Sequence, residues 1–405
     1  MEHFGGQIVV TCPRHFAQVG HFGHGERARV DYPRAVTRVA DVVGALDALY
    51  PQAWAESWDA VGLVVGDPDA VVRRVLFAID PVAAVVTEAA ERGADLLVTH
   101  HPLYLRGTTS VAATDPKGRV VHRLVSGGCA LFVAHTNADV ASPGVSDALA
   151  ATMGLLDVQP LSPLAADPLD KLVVFVPLAE ADRVLDAIAA EGAGAIGDYE
   201  RCAWRTTGEG TFRPLPGASP SIGSVGEIVS VEEARLEVVL PRRRRDAVVR
   251  ALLAAHPYEE PAYDVLELAA VLGPRGLGRV GRLPEPMTLA ELTRVAAAAL
   301  PATTWGVRAA GDPVKVVETL AVCGGAGDGL LSEAAGADAF LTSDLRHHPT
   351  SEGPEGLALL DAAHWATEWP WLADAASRLS EAIGVDTAVS TIVTDPWTVH
   401  EPSPQ

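Results

Sequence analysis

The chain has 405 residues, more than one core usually organises, since single cores stop growing near about 250 residues; two folded units are expected. Hydrophobic residues make up 48% and charged residues 20%, which excludes a disordered, collagen-like or coiled-coil chain as a whole. The balance of 31 Lys and Arg against 52 Asp and Glu gives a net charge of -21, which repels phosphate backbones and anionic lipids, so nucleic acid is disfavoured and no membrane partner is expected. The four cysteines, Cys12, Cys129, Cys202 and Cys323, are scattered, which speaks against a disulfide framework or a thiolate zinc site and fits a reducing cytoplasm. No apolar run approaches the roughly 20 residues that span a bilayer, and the first residues lack the blocks of a secretory signal. A cytoplasmic location is the expectation.

Residues 1–34 show no sustained period and read as an N-terminal extension. His21 and His24 could form a metal-binding tract, but nothing there is spaced on a helix face. A helix is predicted over 34–49, where Val36, Val39, Ala40, Val43, Leu46 and Leu49 recur at helical spacing. Then strand 73–79, helix 82–90, strand 95–99, helix 120–125, strand 130–134 and helix 145–152 alternate, the rhythm of an α/β unit with a largely parallel sheet covered on both faces. Over 171–268 the order changes to strand 172–176, helix 181–189, strand-like stretches 202–207 and 225–229, strand 236–240, helix 245–254 and strand 263–268. That is a split-βαβ, ferredoxin-like order, read as an inserted domain with Pro- and Gly-rich linkers at 160–168 and 273–278. The α/β rhythm returns in the apolar runs 318–322, 339–342 and 357–360, with helical stretches at 330–335 and 367–383. The fold class expected is α/β: two α/β lobes forming one metal-binding domain (35–168 and 272–405, discontinuous) with an inserted ferredoxin-like (α+β) domain.

Three of these strands end in ionisable groups, and the carboxyl edge of an open α/β sheet is where ligands bind. Strand 95–99 runs into His100 and His101. Neighbours on a regular strand face opposite ways, so the pair serves one site only if it holds two adjacent metals or if Pro102 bends the chain; otherwise both are capping residues. Strand 130–134 runs into His135-Thr136-Asn137-Ala138-Asp139. Asp139 offers a hard oxygen, or else caps the helix that follows. The run 357–360 leads to His364 and Glu368, four apart and so on one helical face. Three strand ends delivering His, Asp and Glu favour metal over separate capping duties. Five ligands, one of them a bridging carboxylate, suit a two-metal site. Imidazole and carboxylate accept zinc, iron, manganese or nickel and leave the metal unidentified.

The sequence also resembles the NGG-one-interacting factor three (Nif-three) family, whose members are called GTP cyclohydrolase I type 2 homologues or dinuclear metal centre proteins. The resemblance covers nearly all of the chain after residue 35. It rests on the segment Ser57-Trp58-Asp59-Ala60-Val61-Gly62-Leu63-Val64-Val65-Gly66-Asp67-Pro68, on Thr99-His100-His101-Pro102-Leu103 and on His135-Thr136-Asn137-Ala138-Asp139, and continues with Gly324-Gly325-Ala326-Gly327, Leu341-Thr342-Ser343-Asp344 and His364-Trp365-Ala366-Thr367-Glu368. It places the family's metal ligands on His100, His101, Asp139, His364 and Glu368. It implies two divalent metal ions, a hexamer built from dimers or trimers, and GTP ring opening as the named activity. The insert looks like the extra domain of longer members, through Gly208-Glu209-Gly210-Thr211-Phe212-Arg213-Pro214 and His256-Pro257-Tyr258-Glu259-Glu260-Pro261. Ala60 stands where Asn is common, and Arg346-His347-His348 replaces a Lys-Tyr-His stretch.

Other features read more plainly. Arg242 to Arg245 are taken as a solvated face, Gly324-Gly325-Ala326-Gly327 as an anion-cradle-like turn without the Lys-Ser/Thr of a P-loop, His347 and His348 as entrance residues, and His256 as a turn residue. The expected function is a metal-dependent, hydrolase-like protein acting by water activation on an unidentified small molecule. The alternative is a non-catalytic metal-binding or regulatory protein whose insert receives a partner.

Overall fold

The computed structural model describes residues 36–401. His21, His24 and the rest of the extension lie outside the described residues. Two mixed α/β sheets share one core, and a third sheet has its own.

The first sheet has five strands in the order Gly62–Val65, Ala130–Val133, Leu96–Thr99, Arg74–Ala78 and Asp386–Val389. All pair in parallel except Gly62–Val65, which runs antiparallel on the edge. The central runs are apolar throughout because both faces are covered. Val75, Phe77, Leu96, Val98 and Phe132 pack with the helices Val39–Leu49 and Pro370–Ile383, while Leu76, Ala78, Leu97 and Leu131 pack with the helices Ala83–Glu91 and Pro116–Gly127. The alternation is the period of two of an extended chain.

The second sheet has six strands: Val307–Ala310, Ala358–Ala362, Ala339–Ser343, Val316–Ala326, Leu272–Thr288 and Leu156–Ala165. Its three central strands are parallel. Val317, Leu320, Val322, Leu341 and Leu360 join the cluster that holds Phe77 and Phe132, so the two sheets close on a common interior.

The third sheet is antiparallel, in the order Trp204–Phe212, Val229–Pro241, Leu169–Pro177 and Tyr263–Glu267, with helices Ala181–Ala190 and Arg245–Ala255. The chain order βαββαβ makes it ferredoxin-like. Leu172, Val174, Val184, Ile188, Leu236, Leu240, Val248 and Leu252 form its separate core.

Several expectations need correction. The Pro- and Gly-rich flanks are strands, not linkers: Gly276 pairs with Pro163 and Arg279 with Pro160. Leu156–Ala165 lies on the sheet's edge, where prolines cost no ladder hydrogen bond, and a Cβ on Gly276 would meet the Ser162 carbonyl at 2.3 Å. Residues 225–228 are not a strand; one strand, Val229–Pro241, begins where the loop ends. The stretch 330–335 holds 3-10 turns, and the helix expected over 367–383 is two, His364–Glu368 and Pro370–Ile383, divided before Pro370, which has no N–H to give. Two of the four arginines are engaged, since Arg242 and Arg245 donate to the buried Asp170 at 2.9 and 2.7 Å. His256 does hold a turn, with Nδ1 accepting from Tyr258 N at 3.1 Å. Among the described residues Cys129, Cys202 and Cys323 are free, and no helix is long and apolar enough to cross a membrane.

The long strand Leu272–Thr288 also anchors the segment that carries Asp139. Gly276 N donates to Val140 O, and Arg279, 1% exposed, donates to both oxygens of Asp147 at 2.7 and 2.6 Å and to the carbonyls of Ala141, Gly276 and Gly278. Removing the carboxylate strands a buried guanidinium. Asp147→Ala is therefore expected to lower unfolding stability by about 3 kcal/mol in chemical denaturation, whereas Asp157→Ala, which breaks the exposed pair with Arg282, changes it by less than about 1 kcal/mol.

Candidate metal centre

Each candidate ligand stands where a buried strand stops. After Thr99 the chain leaves the sheet, so His100 and His101 are freed from the strand's alternation. Their amides still donate to Ala78 O and Ile79 O, at 3.2 and 2.9 Å, and their ring centroids lie 5.2 Å apart. Strand Ala130–Val133 leads into His135 and the short helix Thr136–Asp139, which ends on Asp139. Strand Ala358–Ala362 leads into the helix His364–Glu368, whose first and last residues meet on one face, Nε2 to Oε1, at 2.9 Å.

The three histidines are aimed by what holds their other nitrogen. Nδ1 of His100, a fully buried residue, donates to the Ala134 carbonyl at 2.9 Å. Nδ1 of His101 donates to Asp80 Oδ1 at 2.7 Å, and Nδ1 of His364 to Asp344 Oδ2 at 2.7 Å. All three Nε2 atoms then face the buried carboxylate of Glu368. His364 lies 2.9 Å and His100 3.5 Å from Oε1, and His101 lies 3.1 Å from Oε2. Asp139 Oδ1 is 3.6 Å from His100 Nε2. His100 Nε2 and Glu368 Oε2 are buried without a hydrogen-bond partner, a condition that costs about 1–3 kcal/mol per group. Imidazoles held at one nitrogen by an oxygen and turned by the other toward a shared carboxylate have the arrangement of metal ligands. The residues fit a divalent cation.

The glycine-rich turn serves this cluster. Gly325 has φ +68°, and a Cβ there would lie 2.5 Å from Glu368 Oε1 and 3.2 Å from His364 Nε2. Only a residue without a side chain lets the strand Val316–Ala326 run this close to the ligands.

The electrostatics agree. Burial pushes Glu368 up, but the imidazoles of His101, His364 and His100 overcome it and hold the carboxyl well below its usual range. Burial lowers His101 and His364, yet Glu368, with Asp80 and Asp344 respectively, raises them to about 10 and about 11. Burial raises Asp139 to about 6 against the pull of His100. Without a metal, protons on the imidazoles balance the carboxylates.

The structure brings all five predicted residues together and adds residues that sequence reasoning passed over. His135 joins His100 and His101, each offering one ring nitrogen, with these atoms within 4.8 Å of one another. Its Nδ1 donates to Asp59 Oδ1 at 2.9 Å, and Asp59 Oδ2 accepts from Thr136 N at 3.0 Å. Burial, and then the neighbouring His100, lower the His135 pKa, so this ring is neutral near pH 7. Asp59 and Asp344 lie inside the quoted motifs and Asp80 lies in the loop after strand Arg74–Ala78, but no spacing ties any of them to a histidine. His347 and His348 sit on the helix His347–Ser351 and line neither cavity at the cluster. One of these cavities, about 510 Å³, is bordered by His101 and His364; the other, about 360 Å³, by Trp58, His135, Asp139 and Glu368.

A family model described as Duf34/NIF3 (NGG1p interacting factor 3) matches residues 37–396. A Mycobacterium leprae protein named GTP cyclohydrolase 1 type 2 homolog is 52% identical over 367 residues, covering 89% of this chain and 95% of its own. A Streptomyces coelicolor protein of the same name is 44% identical over 372 residues, covering 90% and 94%. The crystal structure of a Bacillus cereus protein related to NIF3 superposes with a TM-score of 0.78 and 33% identity, covering 90% of this chain and all of that one.

Proposed function

We propose that this chain, which belongs to the Duf34/NIF3 family, holds two divalent ions in its buried cluster and is a water-activating hydrolase. His100 and Asp139 would hold one ion and His101 and His364 the other, with Glu368, which faces all three imidazoles, as the carboxylate shared between them. The observation that carries this reading is the set of three imidazoles, each held at Nδ1 and turned by Nε2 to one buried carboxylate. Cys323 borders the smaller cavity but stays a thiol, since burial and then Asp139 push it up to about 12. The donors are therefore nitrogen and oxygen, which suits zinc, iron, manganese or nickel. Ions held there would supply one thing the side chains cannot, a bound water with its pKa lowered toward about 7. His135, oriented by Asp59, keeps Nε2 for taking or returning a proton at the reacting group.

The name carried by the relatives makes GTP the first substrate to assay. Elemental analysis of untagged protein is expected to give about two ions per chain, with turnover in a panel of hydrolysable small molecules that includes GTP. Less than about one ion per chain would refute the reading. The clamps on the histidines matter as well. Asp344→Asn is expected to weaken metal affinity by about 10–100-fold in a competitive chelator titration, with the fold intact by circular dichroism. The same reading takes the chain as a cytoplasmic homohexamer, for which light scattering would give six chains per particle.

A second reading, a metal-binding regulatory protein, is favoured by one observation: a cavity of about 850 Å³ lies in the ferredoxin-like unit between Phe175, Phe212, Glu233 and Tyr258, apart from the metal cluster. Metal content without turnover of any substrate would select it.

A further inference from the structure

The larger cavity beside the cluster has a wall that the metal chemistry does not use. The segment after strand Asp386–Val389 supplies Thr394, Asp395, Pro396 and Trp397 to this cavity, which Trp305, His101 and His364 also line. Thr394 Oγ1 donates to Asp80 Oδ2, the carboxylate that holds His101, so the segment is tied to the ligand set at its base.

Four carboxylates line the space, and three are engaged. Asp80 accepts from His101 and Thr394, Asp344 from His364, and Asp361 from Arg308 at 2.8 Å. Asp395 is different: it is 8% exposed, and its Oδ2 is buried without a hydrogen-bond partner. A buried carboxylate oxygen with no donor is unfavourable and calls for an N–H or O–H from whatever fills the cavity. The walls beside it are indoles. Trp305 and Trp397 lie with centroids 6.2 Å apart at 33°, Arg308 covers Trp305 at 4.6 Å, and Trp397 is 60% exposed. An exposed indole beside a buried acceptor, within a space of about 510 Å³ that also reaches His101 and His364, matches a flat ring with a polar edge. The carboxylates disfavour an anionic group in the same place.

We propose that the cavity between Trp305, Trp397 and Asp395 is the recognition subsite for a planar, uncharged nitrogen heterocycle of the substrate, stacked on Trp397 and donating a ring or amino N–H to Asp395 Oδ2. The proposal rests on the hydrolase reading above, because it takes the adjoining metal ligands to act on what this subsite holds. Asp395 and Trp397 set specificity; neither touches the metals.

Calorimetric titration of the purified protein with guanosine, adenosine and uridine, uncharged nucleosides that each carry an N–H donor, tests this, with benzoate as a planar anion lacking one. Metal content is measured on the same samples. At least one nucleoside should bind and benzoate should not. Trp397→Ala should weaken that binding about ten-fold or more, and Asp395→Leu about 10–100-fold, with metal content unchanged in both. Trp397 is exposed, so its variant reports even if Asp395→Leu fails to fold. Failure of all three nucleosides to bind, or equal binding by wild type and Trp397→Ala, would overturn the proposal. Nucleoside binding that is lost in the variants of a protein without metal or turnover would keep the subsite and refute the hydrolase reading; two ions and turnover with unaltered variants would do the reverse.

Discussion

Glu368→Gln is expected to empty both metal positions, while Asp139→Asn empties one. Glu368 is the only residue of the five whose atoms approach all three imidazoles, two through Oε1 and one through Oε2. An amide in its place presents an N–H where an oxygen was and removes the charge that faces His100, His101 and His364. Affinity should fall by more than the roughly 100-fold that loss of an outer partner costs, for both ions together. Asp139 approaches only His100 Nε2, so its amide should release the ion there and leave the ion of His101 and His364 in place. Elemental analysis of the two variants side by side decides it. Both should remain folded, because the interior built on Phe77, Phe132, Leu341 and Leu360 does not depend on the ligands.

Metal binding is also expected to depend steeply on pH. In the metal-free protein His101 and His364 have pKa values raised to about 10 and about 11, as burial is outweighed by Glu368 and by Asp80 or Asp344. Both are protonated at pH 7, and a metal can take Nε2 only after that proton leaves. Loading should thus release about two protons from this pair, and affinity should drop by about 100-fold for each pH unit below 7. Below about pH 6, protonation of Asp139 adds to the loss. Above pH 7 affinity should rise, until the imidazoles are neutral without metal. Calorimetry in buffers of different ionisation enthalpy counts the protons directly; zero release would mean that the histidines are neutral before the metal arrives.

The candidate ligands were legible because the strands that carry them are short, apolar and buried on both faces, so the first polar residue after each run marks the carboxyl edge of a sheet. Thr99 to His100 and Val133 to His135 are such junctions, and His364 with Glu368 follows from helical spacing alone. The orientation of the ligands was not legible. Asp59, Asp80 and Asp344 sit 76, 21 and 20 residues from the histidines they hold, in loops without a period, and Asp344 reaches His364 from a positive φ of 55°. The flanks of the ferredoxin-like unit misled for a different reason. An edge strand tolerates proline, and a strand under close backbone approach needs glycine, so Leu156–Ala165 and Leu272–Thr288 have the composition of linkers. The pairing that makes them strands joins residues more than 100 positions apart.

Anomalous scattering from crystals of the metal-loaded protein tests the central claim most directly. Two peaks about 3.5–4 Å apart are predicted, one beside His100 and Asp139, the other beside His101 and His364, with Glu368 between them. A single peak, or peaks away from Glu368, would contradict it.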